Sequence, residues 1–245
     1  QNSYPGVTNR ILGRSAERIF TAFKNAGHYG TTEKTKIAGN PTRKSLTEAD
    51  KKEAHKTFEF TDEKRTLLVV GGSGGARSIN EAMLEHIETL HDELGLQIIW
   101  QCGKRYYDQL RRDVQSKKLD NLRLKDFIQD MPAAYAVADL VISRAGALSC
   151  SELALTGKPS ILVPSPNVAG DHQTKNAKSM VEEGAAKLAD DDKLEDVLVN
   201  LVKRTITDSQ QLAEMSKAAK KLARPDAATT IAKETLEISA KHRMN

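Results

Sequence analysis

The chain has 245 residues, of which 39% are hydrophobic, 29% charged and only 4% aromatic. That length allows one large domain or one domain plus part of another, with a core built from aliphatic side chains. The net charge of +4 is interspersed with acids, as in Lys117-Lys118-Leu119-Asp120, and is not gathered with aromatics, which argues against a nucleic-acid partner.

In chain order, Gln1-Asn2-Ser3-Tyr4-Pro5-Gly6 opens without an initiator Met and reads as a cut inside a longer protein. Val7 to Ser15 is predicted as a helix, and Arg18 to Phe23 and Thr35 to Ala38 as strands, before Gly39-Asn40-Pro41 breaks the pattern. The charged stretch from Lys44 to Arg65 reads as a linker with one surface helix. From Leu67 strand and helix alternate. Leu67 to Val70, Leu96 to Trp100, Leu122 to Phe127, Leu140 to Ile142 and Ile161 to Val163 are apolar strands. Helices at Ile79 to Leu90, Tyr106 to Val114, Met131 to Val137 and Ala147 to Leu155 lie between them. Ala185 to Leu188 is a candidate edge strand. Helical spacing then runs over Leu194 to Val202, Leu212 to Leu222 and Ala227 to Ile238, with Pro225 as a break.

Short strands alternating with helices predict an α/β fold, a Rossmann-like parallel sheet with helices on both faces, plus a remnant of a second α/β domain. The expected domains are 1–43 as that remnant, 44–65 as a linker, 66–224 as a ligand-binding domain and 225–245 as a C-terminal helix packing back on the N-terminal part. No apolar run approaches the ~20 residues needed to span a bilayer. Cys102 and Cys150 lack metal-ligand spacing and are expected as buried free thiols, as suits a reducing compartment. The six His are dispersed and make no metal constellation.

Two loops carry the chemistry. Gly71-Gly72-Ser73-Gly74-Gly75-Ala76 joins a strand to a helix, where glycines let a phosphate approach the backbone and the helix start attracts an anion. No Gly-Lys-Ser/Thr follows, so it is not a Walker loop. Arg77 replaces the third glycine of a dinucleotide fingerprint, and the second strand ends in Trp100-Gln101-Cys102 without an acid for an NAD ribose. The second loop, Ser143-Arg144-Ala145-Gly146-Ala147-Leu148-Ser149-Cys150-Ser151-Glu152, leads from strand to helix. Glu152 suits a ribose diol, but Ser149-x-x-Glu152 equally matches a capping box. Asp171-His172-Gln173-x-x-Asn176 opens a further helix, with Asp171 as a candidate N-cap and neutral polar groups suited to sugar hydroxyls.

These motifs, with Gly39-Asn40-Pro41-Thr42-Arg43 and Phe127-Ile128-x-x-Met131 in the same order, resemble the MurG family of bacterial N-acetylglucosaminyltransferases across the whole chain. The resemblance implies a GT-B fold, the donor bound by the C-terminal domain, and no cofactor or metal. It implies that Phe127 and Ile128 hold the uracil, and Glu152 the ribose. Ser73, Gly74 with its neighbouring glycines, and Arg43 would take the diphosphate. Ala147 and Leu148 would lie against the donor, His172 and Gln173 would meet the GlcNAc hydroxyls with Asn176 nearby, and Asn2 would sit on the acceptor side. The implied partners are UDP-GlcNAc, undecaprenyl-diphosphate-linked MurNAc-pentapeptide and the cytoplasmic face of the bacterial inner membrane, bound peripherally. Arg10 and Arg14, four apart on one predicted helix, are candidates for anionic lipid or ordinary exposed arginines. Gly74 stands where the family commonly has Gln, and His172 where a Gln can occur. The general base is expected upstream of residue 1, so this chain is expected to bind donor and to transfer weakly or not at all alone. Alternatives on the same fold are a UDP-sugar 2-epimerase, another glycosyltransferase, or a non-catalytic UDP-sugar-binding module.

Overall fold

The computed structural model describes residues 1–2, 5–23 and 32–244; Ser3 and Tyr4 of the opening motif lie outside them. A small parallel pair, β1 (Ile19–Thr21) and β2 (Thr35–Ile37), follows helix α1 (Val7–Ser15). The main sheet comprises β3 (Thr66–Val70), β4 (Gln97–Gln101), β5 (Leu122–Lys125), β6 (Leu140–Ser143), β7 (Ser160–Leu162) and β8 (Ala186–Leu188). Every pairing is parallel, in the spatial order β5-β4-β3-β6-β7-β8. Strand order therefore reverses between β3 and β6, as in a Rossmann sheet.

Side-chain alternation along the strands divides the core into two layers. Leu67, Val69, Ile98, Trp100, Leu140 and Ile142 point to one face, where α3 (Arg77–Glu88), α4 (Lys104–Gln115) and α8 (Leu194–Ile206) cover them. Leu68, Ile99, Val141 and Leu162 point to the other, under α5 (Met131–Val137), α6 (Ala147–Thr156) and α7 (His172–Glu182). These strands read as continuous apolar runs because both faces are buried. The two cysteines are buried and free. Burial pushes the Cys102 thiol up to about 11 and the Cys150 thiol up to about 12.

The stretch 44–65, expected as a linker with one surface helix, contains that helix and packs into the second layer by one side. Helix α2 (Lys51–Phe58), capped by Asp50, buries Ala54 and Phe58, and Leu46 and Phe60 join the same cluster. Its charges hide the apolar spacing that makes this contact. Helix α9 (Ser209–Leu222) closes the domain, and α10 (Ala227–Met244) runs back over the N-terminal part. There Glu234 pairs with Arg18 at 3.3 Å and with Lys36, and Glu17 pairs with His242 at 2.6 Å. Among the described residues no helix is long and apolar enough to cross a membrane.

Candidate functional site

Both loops singled out from the sequence leave the strands at the point of reversal, where an open α/β sheet offers a crevice beyond its strand ends. The glycine loop follows β3. Gly72 and Gly75 have φ of +84° and +74°. A Cβ on Gly75 would stand 2.2 Å from the Cys102 carbonyl oxygen, and one on Gly103 would stand 2.4 Å from the Gly75 nitrogen. The loops after β3 and β4 are thus in backbone contact, which only glycine permits. Gly74 is different: a Cβ there meets open space. Below the loop, Asn80 of α3 is buried, accepts from Trp100 Nε1 at 3.1 Å and donates to the Cys102 carbonyl at 3.0 Å. That network fixes the start of α3 against β4, so the helix N-terminus faces the crevice.

The crevice is a cleft of about 710 Å³ lined by the glycine loop and by Ser78, Arg144, Ser165, Gln173 and Asp191, among others. Arg144, directly after β6, donates to the Val163 carbonyl at 3.1 Å and to Ser78 Oγ at 3.0 Å, and pairs with Asp191. Ser78 Oγ also donates to Asp191. Gln173 accepts from the Ser165 amide at 2.9 Å through its side-chain oxygen.

Glu152 lies on α6, whose N-cap is Gly146; Ser149 is inside the helix, so the capping-box alternative is excluded. Its carboxylate instead accepts from the buried Tyr135 hydroxyl at 3.1 Å. Burial raises the Glu152 carboxyl above its ordinary value, while the Tyr135 hydrogen bond and the Arg43 charge pull it partly back. Tyr135 is itself pushed well up by burial and by Glu152. Arg43, expected at the diphosphate, thus stands with its charge beside Glu152 and Tyr135 and does not line the glycine-loop cleft. Ile128 is buried in the cluster that holds Tyr135, whereas Phe127 and Leu148 are 41% and 48% exposed, as free apolar surface. Ala147, the first residue of α6, is half-buried.

At the start of α7 the residues divide. Asp171 occupies the expected N-cap position, but in a left-handed conformation and without a side-chain cap bond. His172 lines a second cleft of about 560 Å³ with Asn2, Gly6 and Asn9. Its Nδ1 is buried without a hydrogen-bond partner. Asn176 is fully buried and donates to the Ala145 carbonyl at 3.1 Å and to Asn2 Oδ1 at 3.2 Å. Asn40 does the matching work nearby: its amide nitrogen lies within 3.0–3.3 Å of Ser151 Oγ and the Gln1 and Ala147 carbonyls. Two buried asparagines therefore stitch the N-terminal segment to the start of α6.

Residues 66–231 match the family model described as the glycosyltransferase family 28 C-terminal domain. The chain belongs to this family. A relative from Salinibacter ruber, named UDP-N-acetylglucosamine--N-acetylmuramyl-(pentapeptide) pyrophosphoryl-undecaprenol N-acetylglucosamine transferase, is 44% identical over 245 residues, covering 100% of this chain and 66% of the relative. One of the same name from Bacteroides thetaiotaomicron is 44% identical over 242 residues, covering 98% and 65%. The crystal structure of Acinetobacter baumannii MurG superposes with a TM-score of 0.76 at 31% identity, over 96% of this chain and 65% of that one. A UDP-N-acetylglucosamine 2-epimerase shares the fold at a TM-score of 0.68 and 17% identity, over 95% and 60%. The chain thus spans just under two thirds of the curated relatives it matches.

Tyr135, Asn40, Asn80, Gly103, Ser78 and Asp191, which the sequence alone does not single out, and Arg144, to which it gives no role, are brought by the structure to the crevice and the groups around it. Gly103 follows β4 as Gly71 follows β3, a signal that was legible. Tyr135 and Asp191 carry no local mark, because their partners come from other elements.

Proposed function

We propose that the whole protein transfers GlcNAc from UDP-GlcNAc to the C4 hydroxyl of lipid-linked MurNAc-pentapeptide, in peptidoglycan synthesis. The observation that carries the reading is the meeting of the glycine loop and the start of α6 at the strand-order reversal, in a chain whose relatives are named for that transfer. In this reading Phe127 and Ile128 hold the uracil and Glu152 takes the ribose hydroxyls. Ser73, the glycine loop and the N-terminus of α3 take the diphosphate, with Arg43 as a cation reaching in from beside Glu152. Ala147 and Leu148 lie against the donor. His172 and Gln173 face the sugar, and Asn176 holds Asn2 toward the acceptor.

The C4 oxygen attacks the anomeric carbon from the face opposite the diphosphate, the bond to UDP breaks, and the configuration inverts. Negative charge then grows on the leaving diphosphate, where a helix N-terminus and fixed donors stabilise it more than in the ground state. The proton from the C4 hydroxyl goes to a base outside this chain, so the chain alone binds UDP and turns over poorly. The membrane part of the reading rests on α1, where Val7, Ile11 and Leu12 are 64%, 62% and 59% exposed beside the exposed Arg10 and Arg14. Binding there is peripheral, on the cytoplasmic face.

Product analysis with labelled UDP-GlcNAc, with and without a lipid-linked acceptor analogue, tests the reaction. The full-length protein is expected to form disaccharide only when acceptor is present. Conversion of UDP-GlcNAc to its 2-epimer without acceptor would overturn the reading. Rapid disaccharide formation by the 245-residue chain would overturn only the placement of the base.

A further inference from the structure

The charged side chains lining the glycine-loop cleft are mostly acids: Glu81, Asp191, Asp192 and Glu195 against Arg77 and Arg144. Arg77 is exposed and already paired with Glu81 at 2.7 Å. A diphosphate entering this cleft therefore meets net negative side chains, and Arg144 is the cation best placed to offset them. Its side chain is only 17% exposed, and the Asp191 side chain, 22% exposed, is bound to it.

We propose that Arg144 and Ser78 are further ligands of the donor diphosphate, and that the Asp191 carboxylate holds their hydrogen bonds until the diphosphate takes them. The inference rests on the nucleotide reading given above and deepens it. In this structure Asp191 accepts from both Arg144 Nη1 and Ser78 Oγ. A carboxylate bound by a guanidinium and a hydroxyl presents oxygens much as a phosphate would. Ser78 sits in the first turn of α3, where the helix N-terminus favours an anion. Arg144 also keeps two neutral anchors, the Val163 carbonyl and Ser78 Oγ. These hold the guanidinium in place when the carboxylate swings away. The exchange trades one anion for another on the same donors, so neither Arg144 nor Ser78 is left buried without a partner.

The exchange predicts an unusual sign. Asp191→Asn should tighten UDP about 3- to 10-fold, because the competing carboxylate is gone, whereas Ser78→Ala should weaken UDP. Uridine, which has no phosphate, should bind both variants as it binds the parent chain. Asp192→Asn serves as a control for bulk charge, since Asp192 lines the same cleft. Calorimetric titration with UDP, uridine and inorganic pyrophosphate reads all of this. An unchanged or weakened UDP affinity in Asp191→Asn overturns the inference, as does equal tightening in Asp192→Asn or an equal shift for uridine. If the parent chain binds no UDP, the nucleotide reading fails. Pyrophosphate then still decides, because tighter binding to Asp191→Asn keeps the anion exchange and unchanged binding removes it.

Discussion

At the N-terminal end of the main sheet, Asp139 accepts from Arg65 Nη1 at 3.0 Å and from the Thr66 amide at 2.8 Å, and Lys158 Nζ donates to the Ala138 carbonyl at 2.8 Å. At the C-terminal end Arg144 and Asp191 are equally drawn in but border a cleft, and Glu152 is held by Tyr135. Both ends hold charge in partial burial. Burial pushes the Lys158 ammonium down to about 8 and raises the Glu152 carboxyl. The difference lies in the partners. At the N-terminal end two of the bonds, Asp139 to the Thr66 amide and Lys158 to the Ala138 carbonyl, close on backbone groups and tie β3, β6 and β7 together, which is a stabilising use of charge. At the C-terminal end they close mainly on other side chains, Arg144 on Asp191 and Ser78 and Glu152 on Tyr135, with one bond to the Val163 carbonyl.

The largest effect expected from breaking this contrast belongs to the backbone that shapes the cleft. Gly75→Ala puts a methyl against the Cys102 carbonyl at a positive φ. It should cost at least about 2–3 kcal/mol in urea unfolding. Parent-like stability would show that the two loops are not in close approach.

Next in size is Asp139→Ala at the opposite end. It should cost about 1–3 kcal/mol, chiefly because it leaves the Thr66 amide without its partner. UDP affinity should stay unchanged by calorimetry, and a large shift there would erase the distinction between the ends.

Glu152→Gln should separate function from stability. UDP affinity is expected to fall by about 1–2 kcal/mol as charge-assisted bonds are lost. Stability should move the other way. A carboxyl raised by burial favours folding most below its unfolded value, and that contribution is lost as pH rises through the folded value. Gln never ionises, so the variant's Tm should exceed the parent's above the raised value. The gap should close in acid. A lower Tm at alkaline pH would show that the ionised carboxylate helps hold the fold.

The smallest effect is expected for Gly74→Gln. The side chain enters open space at an ordinary φ, so stability should stay within about 0.5 kcal/mol by thermal melting. A large loss would mean that the loop needs the glycine after all.

Much of the fold was legible because the central strands β3, β4, β6 and β7 are buried on both faces and the helices beside them on one. The resulting apolar runs and helical spacings are local properties of the chain. The helices at Val7–Ser15 and Met131–Val137 match the bounds read from sequence, and the other expected elements lie within a few residues of theirs except the last helix, which runs on from Ile238 to Met244. In the stretch 44–65 the expected surface helix is present, and the packing carried by Leu46, Ala54, Phe58 and Phe60 did not stand out because charges dominate the composition. Within the site, the ambiguity of Glu152 was unavoidable: Ser-x-x-Glu spacing is the same whether the helix starts at Ser149 or, as here, at Ala147.

The sequence by itself determined the parallel α/β sheet, the two loops that carry the chemistry and the family resemblance, because periodicity, glycine and short motifs act over neighbouring residues. The tertiary structure decided which groups meet. Tyr135 reaches Glu152 from α5, Asp191 reaches Arg144 from beyond β8, and Asn40 and Asn176 fasten the first residues to α6. Hydrogen bonds and charge pairs depend on distance in space. The order of strands across the sheet sets those distances, and no single segment of the chain encodes it.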